Sequence, residues 1–290
     1  MLAKLSRRQL LVLTGSGTCA LAMAEGRLTV VMPEDVLRDY RLFLDGRRAE
    51  SLREFGGPHS RRDVIEVVLL HQALAAGGQD AGLVLQSAPT SARLQREIRA
   101  GHAASSGTSY WRGDFPAESD ELLFSRAVLE DGEFEAGLYT VASNRRAMAA
   151  RKLADVQELR ALCNRDWQVD WQTLKQLGIR DVQHAGNWEL MPRMLANDRA
   201  DFLLAPFQAT PDLSLRVGDY SLLPIPGIKV ALRGSRHYLL SARHPDAAAL
   251  KARLDLGLER LRRLGVLRRA YAESGFFNAS VAHWITLGQP

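Results

Sequence analysis

Cysteine is nearly missing from this chain: 290 residues hold two, Cys19 and Cys163. Cys19 falls in an N-terminal segment that reads as cleaved, so Cys163 stands alone and no intramolecular disulfide is available. In a helical pattern a lone cysteine reads as a small buried hydrophobe rather than a nucleophile. Metal-ligand spacing is missing too, because the seven histidines, from His59 to His283, are scattered. No glycine-flanked serine elbow and no phosphate-cradling glycine loop occurs. The expectation is therefore no cofactor, no metal and no catalytic residue. An excess of one charge is also lacking. The 38 basic residues less Lys4, Arg7 and Arg8 leave 35 against 33 acidic ones, a balance of +2. That is too near neutral to argue for nucleic acid. After residue 24 no apolar run is long enough to span a membrane, and there is no internal repeat.

What the chain does have begins at its N-terminus. Lys4, Arg7 and Arg8 precede the apolar run from Leu10 to Ala22, and Ala22-Met23-Ala24 supplies the small residues a signal peptidase reads. Residues 1–24 thus read as an export signal, with the mature chain in the periplasm. Ser6-Arg7-Arg8-Gln9-Leu10-Leu11 fits the twin-arginine signature as well as a general secretory signal. Thr18 before Cys19, with no leucine three residues earlier, argues against a lipoprotein box. The remaining 266 or so residues suffice for two lobes with real cores.

Short β-like runs then alternate with helical patterns, which predicts an α/β protein. Leu28–Met32 reads as a first strand, and residues 34–60 as polar turns. From Arg62, Val64, Val67, Val68, His71 and Leu74 form a helical stripe ended by Gly77-Gly78. Strands are expected at 82–86, 102–106, 134–141, 167–169, 181–183, 201–206, 222–232 and 238–240. Helices are expected at 90–100, 153–162, 171–177 and from Asn187. A long terminal helix with Leu250, Leu254, Leu258, Leu261 and Leu264 on one face follows Pro245. The acidic run Glu130, Asp131, Glu133 and Glu135 reads as a solvated loop edge.

This order of elements resembles the type II periplasmic solute-binding proteins, the extracellular family 3 class that serves polar amino acids. Thr90 to Gly101 is similar to that family's early helix and its closing glycine. Leu123-Phe124-Ser125 resembles the segment before its crossing strand, and Met194-Leu195 through Asp201 to Ala205 resembles its helix-then-strand step. After the third strand the family runs glycine, any residue, threonine, then threonine-proline-glutamate-arginine. Here Gly107-Thr108 is followed by Ser109-Tyr110-Trp111-Arg112, shortened and without the proline and glutamate. The resemblance implies a two-lobed fold with two crossovers. Lobe 1 would hold 25–137 and 226–290, lobe 2 would hold 138–225, and the hinge would lie near Gly137-Leu138 and Leu223-Pro224.

In that fold a ligand sits between the lobes, where loops follow the strands. Three loops are candidates: Thr108, Tyr110, Trp111 and Arg112; Asp170 and Trp171; Phe207 and Gln208. Arg112 could clamp a carboxylate with paired charge-assisted bonds, and the aromatics could cover the ligand. Asp170 also suits a helix N-cap, and Asn187-Trp188 is a weaker candidate. The resemblance implies a monomeric receptor for a small amino-acid-like solute, working by lobe closure for an ABC importer or a membrane sensor. Two alternatives remain open: a dehydratase-like enzyme using Asp170 or Asp114, and an interaction protein without a ligand.

Overall fold

Two β-sheets, each flanked by helices, organise the chain in the computed structural model, which describes residues 27–78 and 82–288. The segment read as an export signal lies outside the described residues. The first strand, β1 (Leu28–Pro33), is an apolar run whose buried side chains Val30, Val31 and Met32 leave little room for water. The expected polar turns after it are in part a helix, α1 (Glu34–Leu44). Val36, Leu37, Tyr40 and Phe43 recur at helical spacing and are buried, while Glu34 and Asp35 sit in the first turn, where the helix dipole favours anions. The longer α2 (Arg62–Ala76) is buried along nearly its whole length and ends at Gly77.

β2 (Leu83–Ala88) is followed by α3 (Ser91–Arg99), which Thr90 caps by accepting the Arg93 N–H at 3.2 Å. β3 (Ser105–Trp111) and β4 (Leu122–Phe124) complete this half of the chain. β5 (Phe134–Val141) then crosses to the second sheet. There follow α4 (Arg145–Met148), α5 (Leu153–Gln157), β6 (Arg160–Cys163), α6 (Gln168–Gln176), β7 (Asp181–His184) and α7 (Met191–Ala196). β8 (Phe202–Pro206), β9 (Leu215–Val217) and β10 (Tyr220–Leu232) lead back, and β11 (Arg236–Ser241) rejoins the first sheet. α8 (Ala247–Arg263), α9 (Val266–Glu273) and β12 (Ile285–Leu287) close the chain.

The first sheet has the order β2-β1-β3-β11-β4, with β1 parallel to β2 and β3 and with β11 antiparallel to its neighbours. The second runs β12-β10-β5-β8-β6-β7, with β9 on the early residues of β10. β5 and β10 form the antiparallel crossing pair. Pro224 faces Tyr139 while Lys229 faces Gly137, so Ile225–Ile228 bulge opposite Leu138 alone. Gly137 is required there, since a Cβ would lie 2.8 Å from the Tyr139 ring and 2.9 Å from Phe207.

Four local expectations are corrected. The helix expected over 153–162 stops at Gln157, and 160–163 is a strand that pairs with both β7 and β8. Asp201 fixes that strand start by accepting the Arg160 N–H at 2.8 Å. Cys163 is therefore buried on a strand, not on a helix. Trp167–Val169, expected to be extended, forms the start of α6. The terminal helix breaks at Gly265, whose φ of +69° suits glycine, and Leu264 is 75% exposed while Leu250, Leu254, Leu258 and Leu261 are buried.

Candidate functional site

A pocket of about 210 Å³ lies between the two sheets. The carboxyl ends of β1, β2 and β3 supply Pro33, Ala88 and Thr108 to Trp111. The second lobe supplies Asn164, Trp167, Asp170, Trp188 and Ala205, and the first turns of α1, α2 and α3 also face it. This is the crevice at strand ends where open α/β sheets place ligands.

Its most unusual group is Arg236. It is 8% exposed, lines the pocket, and begins β11 as the antiparallel partner of Trp111. Its Nε donates to Ser109 Oγ at 3.0 Å, and an Nη donates to the Ser109 carbonyl. The guanidinium lies 4.8 Å from the Trp111 ring and 5.5 Å from that of Phe134. Among the described residues, no carboxylate comes within 4.0 Å of it. Burial, and then the nearby charge of Arg62, pull its pKa below the ordinary arginine value. Buried charges are normally paired, and this guanidinium faces a cavity with no carboxylate in direct contact among the described residues.

Ser109 is in turn held from below. Glu66, fully buried on α2, accepts the Ser109 N–H and the Ser109 hydroxyl, each at 2.7 Å. Glu66 also accepts from Arg62 and Tyr271, each at 3.2 Å. Arg62 passes its other Nη to Asp63 at 2.5 Å, and Arg61 holds Asp35 at 2.7 Å, Asp63 at 3.0 Å and Asp39 at 3.1 Å. Burial alone would raise Asp63, but Arg62 and Arg61 outweigh it and keep the carboxyl below its ordinary value.

On the opposite wall, Asp170 accepts the Trp111 indole N–H at 3.0 Å. Burial raises its pKa against the pull of Arg236. Trp111 thus shows its face to a cation and its edge to an anion. Asp114 accepts the Val169 N–H at 3.0 Å, and burial, with the charge of Asp170 added, pushes its carboxyl up to about 7.

Of the residues expected from sequence, Thr108, Tyr110, Trp111 and Asp170 come together in this pocket. The first three lie on strand β3, not on a loop. Asp170 is the third residue of α6, whose N-cap position is Trp167, so it is not the cap. Asn187 and Trp188 also line the pocket. Arg112 does not. It turns away to donate to the carbonyls of Phe115 at 3.3 Å, Pro116 at 2.9 Å and Ala117, with its guanidinium 4.2 Å from the Phe124 ring. Trp171 is also directed elsewhere, under Arg165 and Lys175, because consecutive helix residues diverge by about 100°. Phe207 is buried against Tyr139 and Trp284. Gln208 bonds the Pro206 carbonyl at 2.8 Å and faces a smaller neighbouring cavity of about 40 Å³. The sequence reading passes over Arg236, Arg62 and Asp63, and includes Ser109 only as a member of the first candidate loop, without a role. Arg61-Arg62-Asp63, with Glu66 one turn on, opening an otherwise largely apolar helix is the signal in the sequence.

No protein-family profile and no curated protein sequence matches this chain. Solved structures do. The BvgS periplasmic VFT2 domain of Bordetella pertussis is 17% identical, with a TM-score of 0.56 over 83% of this chain and 92% of that domain. The chain spans 42% of the complete BvgS periplasmic domain. An amino acid ABC transporter substrate-binding protein of Streptococcus pneumoniae, bound to L-arginine, is 12% identical, with a TM-score of 0.56 over 87% of this chain and 94% of that one. The probable amino-acid ABC transporter extracellular-binding protein ytmK of Bacillus subtilis is 13% identical, with a TM-score of 0.56 over 86% of this chain and 98% of that one. The fold is the two-lobed one of periplasmic binding proteins.

Proposed function

We propose that this chain is an exported solute-binding protein that captures a small molecule bearing a carboxylate and an amine. The buried guanidinium of Arg236 carries this reading: Glu66, Asp63 and Asp170 act on it only from a distance, so a ligand carboxylate would make the direct ion pair it lacks among the described residues. Asp170 would accept the ligand amine, and Trp111, Tyr110, Trp167 and Trp188 would cover its carbon skeleton. Lobe 1 would comprise 25–137 and 226–290, and lobe 2 would comprise 138–225. Closure would turn on the crossing pair near Gly137 and Leu223-Pro224, where β10 bulges. The partner would be an importer or a membrane sensor, a reading supported by similar structures from amino acid ABC transporter binding proteins and from BvgS. The enzyme alternative rests on Asp114, whose carboxyl at about 7 is suited to proton transfer near neutrality.

The test is thermal melting against amino acids, polyamines and small organic acids. A ligand that binds only the folded state raises the midpoint by mass action. The shift should vanish in Arg236→Met, which keeps the volume and removes the charge. A shift that survives in that variant refutes the clamp. Release of a product during incubation would favour the enzyme.

A further inference from the structure

Three of the contacts between the lobes lie beside the pockets. Trp111 donates to Asp170 at 3.0 Å, the Val169 N–H donates to Asp114 at 3.0 Å, and Arg38 pairs with Glu189 at 3.4 Å. The Arg38 pair is exposed on both sides, so it contributes little. The other two bring a carboxylate from each lobe to the same seam: Asp114 from the short turn after β3, and Asp170 from the first turn of α6.

We propose that closure of the empty protein takes up a proton at Asp114, so that acid closes the lobes and alkali opens them. This rests on the solute-binding reading only in requiring that the lobes part. With the lobes parted, α6 is gone from Asp114 and water replaces it. With the lobes together, Asp114 is half-buried on the pocket wall, keeps less of that water, and gains the Val169 and Gln168 N–H groups and a like charge. The groups facing it are Asp170 and the Val169 and Gln168 N–H groups from α6, Cys163 from β6, and Arg236 from β11. Arg236 is the only cation among them, and its nearest bonds go to Ser109. Arg112, beside Asp114 in sequence, is turned toward the carbonyls of 115–117.

The direction follows from linkage. In the closed form burial holds the Asp114 carboxyl at about 7, against an ordinary value of 3.8. The closed form therefore binds the extra proton between those two values. The closed-to-open ratio rises as pH falls through 7, by at most about tenfold per pH unit.

Small-angle X-ray scattering of the purified, ligand-free protein from pH 5.5 to 8.5 reads this directly. The radius of gyration should be smallest at pH 5.5 and grow through pH 7. Asp114→Asn, neutral at every pH and still able to accept from Val169, should stay compact throughout. Asp170→Asn, which removes the like charge, should move the transition to lower pH. A radius that is flat across this range in the unaltered protein overturns the proposal, as does an Asp114→Asn variant that keeps the pH response. Adding amino acids, diamines and organic acids at pH 8.5 separates the two ideas. Compaction by one of them with a flat pH response leaves the solute-binding reading standing and sinks the proton link. A pH response abolished by Asp114→Asn, with no compound binding, supports the link and sinks the solute reading.

Discussion

Replacing Glu66 by leucine should be among the most destabilising single changes in this protein. Glu66 is fully buried and accepts four hydrogen bonds: two from Ser109, one from Arg62 and one from Tyr271. Leucine is of similar length and fills the space, so the loss is electrostatic rather than volumetric. It strands the Ser109 N–H, and leaving one buried donor unpaired costs about 1–3 kcal/mol. It also leaves Arg62 with Asp63 alone, while Arg62 Nε already lacks a partner in the interior. Breaking a buried ion pair from one side costs about 3–5 kcal/mol, and the two losses overlap, so about 4 kcal/mol is expected. Against a total stability of about 5–15 kcal/mol that is a large fraction. In urea, with a slope of about 3 kcal/mol per molar, the midpoint should fall by more than about 1 M at unchanged slope. The double variant Arg62→Met, Glu66→Leu should recover at least about 1 kcal/mol of the summed single losses, because the stranded charge is gone. A midpoint shift below about 0.3 M would refute the account, since it would mean that the network carries no net stability.

Two further outcomes follow from contacts in the two lobes. Arg112→Ala removes a guanidinium that stacks on Phe124 and bonds three carbonyls. It should lower stability by about 1–2 kcal/mol and leave ligand-induced melting shifts unchanged; loss of those shifts would place Arg112 in the site after all. Asp201 is raised by burial, but its bonds from Arg160 and Asn144 outweigh this and hold it below the ordinary carboxylate value. A depressed folded-state pKa adds stability that is present above the unfolded value and is lost as pH falls through the folded one. Asp201→Asn should therefore flatten the decline in melting temperature below pH 4, and an unchanged acid limb would count against it.

The elements that reading the chain recovered are those whose own residues decide them. α2 carries an apolar stripe closed by two glycines, α3 carries its threonine cap, and β5 ends in the strand formers Leu138-Tyr139-Thr140-Val141. The misses are segments that a distant partner decides. Residues 160–163 carry no strand signal of their own, yet β7 and β8 on either side impose one, with Asp201 pinning its first residue. α1 was hidden differently. Its charged residues are nearly as many as its apolar ones, and only the phase of Val36, Leu37, Tyr40 and Phe43 reveals the buried face. Gly77 is legible as the end of α2 but not as a contact, and Gly257 within α8 carries no signal in the sequence. A Cβ at Gly257 would sit 1.7 Å from the Ala73 carbonyl, and one at Gly77 would sit 2.0 Å from that of Arg253.

The site shows the same division between local and non-local information. An arginine was expected just after the third strand, and Arg112 occupies that position in the sequence, but the shortened segment turns it outward after Trp111. The pocket nevertheless holds a guanidinium beside Trp111. β11 pairs antiparallel with β3 so that Arg236 stands opposite Trp111, more than a hundred residues away along the chain. The solute-binding reading proposed above calls for a cation at that point in space, over that indole and against Ser109; which strand delivers it is a matter of register. Register is set by which faces are buried across the whole sheet, so a motif read along the chain can name the right residue type and the wrong residue. The position of Glu66 supports this reading. A fully buried carboxylate is retained beneath Ser109, and Ser109 is the residue that holds Arg236. The bonds of that carboxylate end on the strand that presents the clamp, so the network positions the charge as well as stabilising the lobe that carries it.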